Sequence, residues 1–435
     1  MNTDSGNLPA AAGGPRKPWR RAFARVPLLA WLCGGLAAVV LERFFGPQLA
    51  DLLGLPKVPV LFGFLTILGK PPLIPSTAAF ITLIYVLPLL LVSRLLARPA
   101  NRLAAFLLQG PLAVSVLVHL ALFYGTLHLW SDLSAYRVLT LKLTLIAVML
   151  TLSLNVINGY MGEFSCSHPA FMALGAYAAS VMTLVFFAKD KQFGEALLPA
   201  ALGPFMFPLV LIVAGAVASL GALVIAIPSF RTRGDYLAII SLAFMFIVKS
   251  MIENLEIIGG PRGLSSQPNY ASLPTVFLWA AACIWIINNF VRSTLGKALN
   301  AVRDDEIAAD AMTVNTRRTK MIAFLFGAFW AGVAGGLFAH VLRYVNPGSF
   351  GLQKLAEVLA MVYFGGLNSV YGSIVGAVSL SLLGEALRPL ELFKWIIIPL
   401  MLILVMIFRP TGLIAFREFD VRQLVQPKLN PDREV

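Results

Sequence analysis

The chain has 435 residues, 58% of them hydrophobic and only 13% charged, with a formal charge of +13 and a mean hydropathy of +0.82. A soluble domain carries about 25% charged residues, so this composition excludes a soluble globular protein and points to a polytopic membrane one. The Lys and Arg residues are gathered into separate segments between apolar runs. That excludes a nucleic-acid surface and reports membrane topology instead.

Residues 1–18 are rich in Gly, Pro and Ala and are expected to be disordered. Arg16, Lys17, Arg20, Arg21 and Arg25 then make 1–25 a basic cytoplasmic tail. Val26–Leu41 has a signal-like profile, but the basic region is long and no clean small-x-small cleavage site follows. An uncleaved first span fits better.

Apolar stretches fall near 26–45, 74–97, 103–129, 138–158, 170–188, 204–226, 235–252, 273–291, 321–343, 355–368, 371–388 and 393–408. About 20 apolar residues cross a bilayer, so 58–69 reads as interfacial or re-entrant and 355–368 is marginal. The expected fold is an all-α polytopic membrane protein of about 11–12 transmembrane or re-entrant helices. Twelve crossings from a cytoplasmic N-terminus place the basic segments 94–102, 229–234, 292–320 and the C-terminal tail on the inside.

Polar residues within or beside spans are candidates for a translocation pathway: Asn155, Glu163, His168, Glu253 and Glu357. Snorkelling or pairing at span ends is the bland reading, and Lys249 sits four residues before Glu253 on one predicted helix. Glycines at 332, 335, 336, 365, 366, 372 and 376 suit close helix packing. Phe364-Gly365-Gly366-Leu367-Asn368-Ser369 breaks two apolar segments and is expected beside a cavity.

Residues 292–320 interrupt the apolar chain with a long charged segment. Ala298, Ala301, Ala308 and Ala311 recur at helical spacing, and Asp304, Asp305 and Glu306 suit the positive end of a helix beginning near Asp304. A short docking helix for a soluble partner is one reading; a solvated linker is the other. No HExxH, GxSxG or GxxxxGK[ST] motif is present. Cys33, Cys166 and Cys283 are scattered, with neither metal spacing nor a disulfide pattern. No catalytic residue, metal or cofactor is therefore expected on this chain.

Five segments, in order over roughly 138–415, resemble the longer permease of bacterial branched-chain amino acid ABC importers. They are Leu154-Asn155 through Gly159-Tyr160-Met161-Gly162 to His168 and Gly175-Ala176-Tyr177; Arg233–Ile239 with Gly259–Leu264; Gly296-Lys297-Ala298-Leu299 with Arg303–Ala309; Ala323–Phe350 with Gly365-Gly366; and Phe408–Leu413. Departures include Glu163 where that family usually has Gln, and Cys166-Ser167 in place of Leu-Gly.

The resemblance implies an importer permease core over 138–415, preceded by an extension of about three spans over 26–137 and followed by a cytoplasmic tail over 416–435. It implies that 292–320 is a cytoplasmic coupling loop, with Gly296, Ala298, Arg303, Asp304, Asp305, Glu306, Ala308 and Ala309 meeting an ATPase. The implied partners are two ATP-binding subunits, a second permease and a periplasmic binding protein, in the lipid of a bacterial inner membrane. ATP hydrolysis would lie on the separate subunits. The cargo would be a branched-chain amino acid or a related urea, amide or aromatic acid. The alternative is a proton-coupled secondary carrier working through Glu253 or Glu357.

Overall fold

A computed structural model describes residues 25–55, 71–188, 193–230, 236–388, 391–409, 411–416 and 419–428. The expected disordered start, the 58–69 run and the basic pair Arg231 and Arg233 lie outside the described residues. Contacts divide the chain into residues 1–133 with 420–435, and residues 134–419.

The first unit holds α1 (Leu28–Leu52), α2 (Ile74–Leu95), α3 (Ala97–Leu107) and α4 (Leu112–Ser131). The single stretch expected over 103–129 is in fact two helices, because Gly110-Pro111 breaks it: Pro111 has no N–H to continue a helix, and Leu112 restarts one. Likewise 94–102 is helical rather than a loop.

The second unit is built on α5 (Ala135–Met161), α6 (His168–Phe187), α7 (Gly203–Ser229), α8 (Tyr236–Asn254) and α9 (Leu273–Arg292). Two short helices follow, α10 (Thr294–Asp304) and α11 (Glu306–Ala311), before the long α12 (Thr316–Leu342). The chain closes with α13 (Leu352–Gly365), α14 (Val370–Ala386), α15 (Glu391–Phe408) and the short α16 (Val421–Val425), which belongs to the first unit. Among the described residues nine helices are long and apolar enough to cross a membrane. The protein is an all-α polytopic membrane protein.

Helix α12 is the centre of the second unit. Small residues let it approach its neighbours backbone to backbone: Gly175 of α6 lies on Gly332, Gly335 lies on the Met172 carbonyl, and Gly332 also meets Ala218 of α7. In lipid such close packing replaces the hydrophobic drive. His340 is fully buried here and fully used, with Nδ1 2.8 Å from the Gly336 carbonyl and Nε2 3.0 Å from the Thr183 hydroxyl.

Helix α13 has 14 residues, about 21 Å at 1.5 Å per residue, which is short of the roughly 30 Å of hydrocarbon. It stops because Gly366 takes φ 126° and Asn368 takes φ 54°, a path open to Gly and tolerated by Asn.

The far end of α12 is closed by a two-residue antiparallel pair, β1 (Leu264–Ser265) with β2 (Tyr344–Val345). The Gly259–Gly263 turn packs into it, with Gly263 against the Val345 carbonyl. Twenty-seven residues of α12 separate this cap from the loop before Thr316, about 40 Å along the helix.

Candidate functional site

The charged segment 292–320 is folded, not a linker. Ser293 caps α10 by accepting from the Gly296 N–H at 3.4 Å, and Asn315 caps α12 by accepting from the Arg318 N–H at 2.9 Å. Between them Asp305 caps α11, its Oδ1 accepting from the Ile307 and Ala308 N–H groups at 2.9 and 3.0 Å. The short helix expected to begin near Asp304 is α11, capped at Asp305, and a second helix, α10, precedes it. The acidic trio splits into three tasks: Asp304 pairs with Arg303 at 2.7 Å, Asp305 is the cap, and Glu306 reaches Lys320.

The docking expectation is corrected for two residues. Gly296 is buried, and a Cβ there would strike the Val291 backbone. Ala309 is buried against the rest of the chain, and Ala298 is half-buried. Ala301, Ala308 and Ala311 are exposed, as are Ile307 at 84% and Met312 at 76%. Helix α11 thus offers a small apolar surface with Ala308 in it and no cover from its own chain.

Beneath that surface lies a contact network that the sequence did not announce. Lys320, with a side chain only 11% exposed, donates to Glu163 Oε1 at 2.7 Å and to Glu306 Oε2 at 2.8 Å. One cation therefore ties α11 to the end of α5. Arg303 of α10 donates to the Gly159 carbonyl at 3.4 Å, and its side chain lies over Gly162, where φ is 77°. Its guanidinium also stands 5.6 Å from the Phe416 ring centroid, within cation–π range.

The last turn of α5 is a π-helix, Val156–Met161, a feature often found at functional sites. Asn155 just before it is 1% exposed and spends its whole side chain on the break after α13. Its amide donates to the Ser369 carbonyl at 3.0 Å and the Ser373 hydroxyl at 2.7 Å, and its Oδ1 accepts from the Asn368 N–H at 3.2 Å. The segment after the last span crosses the same break: Leu413 and Ile414 donate to the Phe364 and Gly365 carbonyls at 3.1 and 2.9 Å. Four of the five sequence segments singled out above therefore converge here.

The five pathway candidates are not brought together. Asn155 is a staple rather than a lining residue, and Glu163 is ion-paired. His168 is buried at the start of α6 against Phe171, with the Ser153 carbonyl beside it and no fully formed hydrogen bond at either ring nitrogen. Glu253 sits near the capped far end of α12 and pairs with Lys249 at 3.7 Å. Glu357 is on the exposed face of α13 and pairs with Lys354 at 2.8 Å. A break beside a cavity was expected at 364–369; instead Asn155 and residues 413–416 fill it. Among the described residues no group of His, Cys, Asp and Glu is arranged to hold a metal.

Lys320 and Phe416 escaped the sequence reading. A signal for Lys320 did exist: Glu163 brings a carboxylate into a motif otherwise read with Gln, and such a charge needs a cation. Cys166, in the loop after the π-turn, is buried, and burial pushes its thiol above the usual range.

The sequence profile of a family described as the branched-chain amino acid transport system permease component matches residues 136–407. The chain is 32% identical to the high-affinity branched-chain amino acid transport system permease protein LivM of Escherichia coli, over 62% of this chain and 68% of that protein. The same protein of Salmonella typhimurium gives the same identity and coverage. LivH of Salmonella typhimurium is 30% identical over 36% of this chain and 53% of its own length. No solved structure matches the chain.

Proposed function

This chain belongs to the permease family of branched-chain amino acid transport systems, and on that premise we propose that it is the long permease of an ATP-driven importer in a bacterial inner membrane. It would work with a second permease, two ATP-binding subunits and a periplasmic binding protein, and carry branched-chain amino acids. The match over residues 136–407 carries this reading.

In the mechanism α11 is the contact to an ATPase, and Ala308 lies on its exposed face. When the ATPase pair closes on ATP, α11 and α10 move with it. Lys320 passes that displacement to Glu163, and Arg303 passes it to Gly159 and Gly162. Both act on the π-turn at the end of α5, a weak point in that helix. Asn155 hands the movement to the break after α13, where the chain can hinge between two helices. The proton-coupled alternative gains nothing from the geometry, since Glu253 and Glu357 are both ion-paired at helix surfaces.

The test is reconstitution with the second permease, ATPases and binding protein in liposomes. Leucine-loaded binding protein should raise ATP hydrolysis and drive leucine uptake. Uptake that persists without ATP and collapses with a protonophore would overturn the assignment.

We place both termini and α10–α11 in the cytoplasm and the β1–β2 cap in the periplasm, from the distribution of Lys and Arg. A cysteine at exposed Ser265 should react with an impermeant thiol reagent in spheroplasts, and one at exposed Met312 should react only after lysis. Background should be low, because Cys166 and Cys283 are buried and Cys33 is half-buried. Labelling of the Met312 probe from outside would reverse the topology.

A further inference from the structure

We propose that α3 carries a binding site for an anionic phospholipid headgroup, held by Arg98 and Arg102. A single residue, Leu96, separates α3 from the end of α2, and the helix stops shortly before α4 starts at Leu112. Both neighbours are span candidates, so α3 is confined to the membrane surface.

Its faces are sharply divided. Ala100, Asn101 and Ala104 are buried in the first unit, while Arg98, Pro99, Arg102, Leu103 and Phe106 are exposed and line an open groove of about 500 Å³. At 3.6 residues per turn those five occupy a continuous arc of about 140°. Arg98 and Arg102 lie at one edge; Phe106, Pro99 and Leu103 follow in angular order. The surface thus passes from cationic to apolar across one helix face, as a lipid does from phosphate to acyl chain.

The helix cannot roll to hide this face. Asn101, 6% exposed, donates its amide to the Arg25 carbonyl at 3.0 Å and accepts the Lys428 N–H on Oδ1 at 2.8 Å. These bonds pin the buried side to both the start of α1 and the end of the described tail. Neither Arg98 nor Arg102 makes an ion pair or hydrogen bond among the described residues, and no acidic residue occurs between Arg94 and Ser131.

Charge complementarity selects the occupant. Two guanidinium groups one turn apart match the oxygens of a phosphodiester in fork geometry. The adjacent Phe106, 68% exposed, and Leu103, 47% exposed, need an apolar partner that free phosphate does not offer. Basic clusters at the cytoplasmic end of spans bind anionic headgroups in this way.

The full-length protein in detergent, titrated with dioleoyl phosphatidylglycerol and followed by native mass spectrometry, tests the site. Phosphatidylglycerol should bind in preference to phosphatidylcholine, and R98Q/R102Q should weaken it about tenfold or more. R98K/R102K, which keeps the charge but loses the fork, should fall between. A photoreactive phosphatidylglycerol should label the 97–107 peptide of the unaltered protein, a readout that does not depend on the variants folding. Unchanged affinity in a folded R98Q/R102Q protein, labelling confined to other peptides, or equal competition by inorganic phosphate would each overturn the proposal.

Discussion

Replacing Lys320 with Met should cut substrate-stimulated ATP hydrolysis and leucine uptake by about tenfold or more in the assembled transporter. The Lys320 ammonium bridges Glu163 and Glu306. Without it, two carboxylates face each other across a partly buried gap. Glu163, with 26% of its side chain exposed, bears most of the cost, and Glu306, 51% exposed, is largely screened by water. The strain is relieved if α11 swings away from the end of α5, the connection proposed above to transmit the stroke. Insertion should persist, since the packing of α12 against α6 and α7 is untouched. A second variant separates lost linkage from lost folding. In E163Q/K320M the carboxylate at 163 is gone, so membrane abundance should recover relative to K320M while coupling stays low. K320R should retain much of the activity, because a guanidinium fork can serve both carboxylates. Wild-type stimulation by K320M would remove Lys320 from the coupling route.

Replacing Ala308 with Trp should abolish co-purification of the ATPase and leave the permease itself intact. Ala308 is exposed, so an indole there can lie in solvent without displacing the core. Any partner that approaches α11 closely must be pushed back, and overpacking a tight contact costs about 1–3 kcal/mol. Ala309 is the internal control. It is buried, so Ala309→Trp should lower the melting temperature of the isolated permease while Ala308→Trp should not. Asp305→Lys should behave like the buried control, because it removes a cap that satisfies two N–H groups and is worth about 1 kcal/mol. Retained ATPase binding in a stable Ala308→Trp protein would return α11 to the status of a solvated segment.

The architecture was legible where the physics is local. Runs of apolar residues announced the spans, and Gly365-Gly366 announced a break that positive φ then required. The caps of the charged segment were also legible in principle: Asp305 precedes Glu306-Ile307-Ala308, and Asn315 precedes Thr316-Arg317-Arg318. The first was read as a helix start near Asp304; reading the second would have started the long span at Thr316 instead of 321. The inward turn of Ala309 and Gly296 was not legible, because small residues suit both an open docking face and a crowded interior. The Lys320–Glu163 pair lies 157 positions apart, and local periodicity carries no information about a contact that only the fold creates. Asn155 misled for a related reason. A polar residue in a span can line water or knit two backbones, and its type does not say which.

The strap of residues 413–416 over the break after α13 also sets a schedule for biosynthesis. The Phe364 and Gly365 carbonyls receive their N–H partners from Leu413 and Ile414, roughly fifty residues further along the chain. At about 5–20 residues per second, those partners emerge some three to ten seconds later. In that interval the two carbonyls lack their chain partners, and water at the α10–α11 end of the unit must satisfy them. The tip of the α13–α14 hairpin should therefore stay open to water until the last span has been made. The final residues of the second unit would then decide when its middle is sealed.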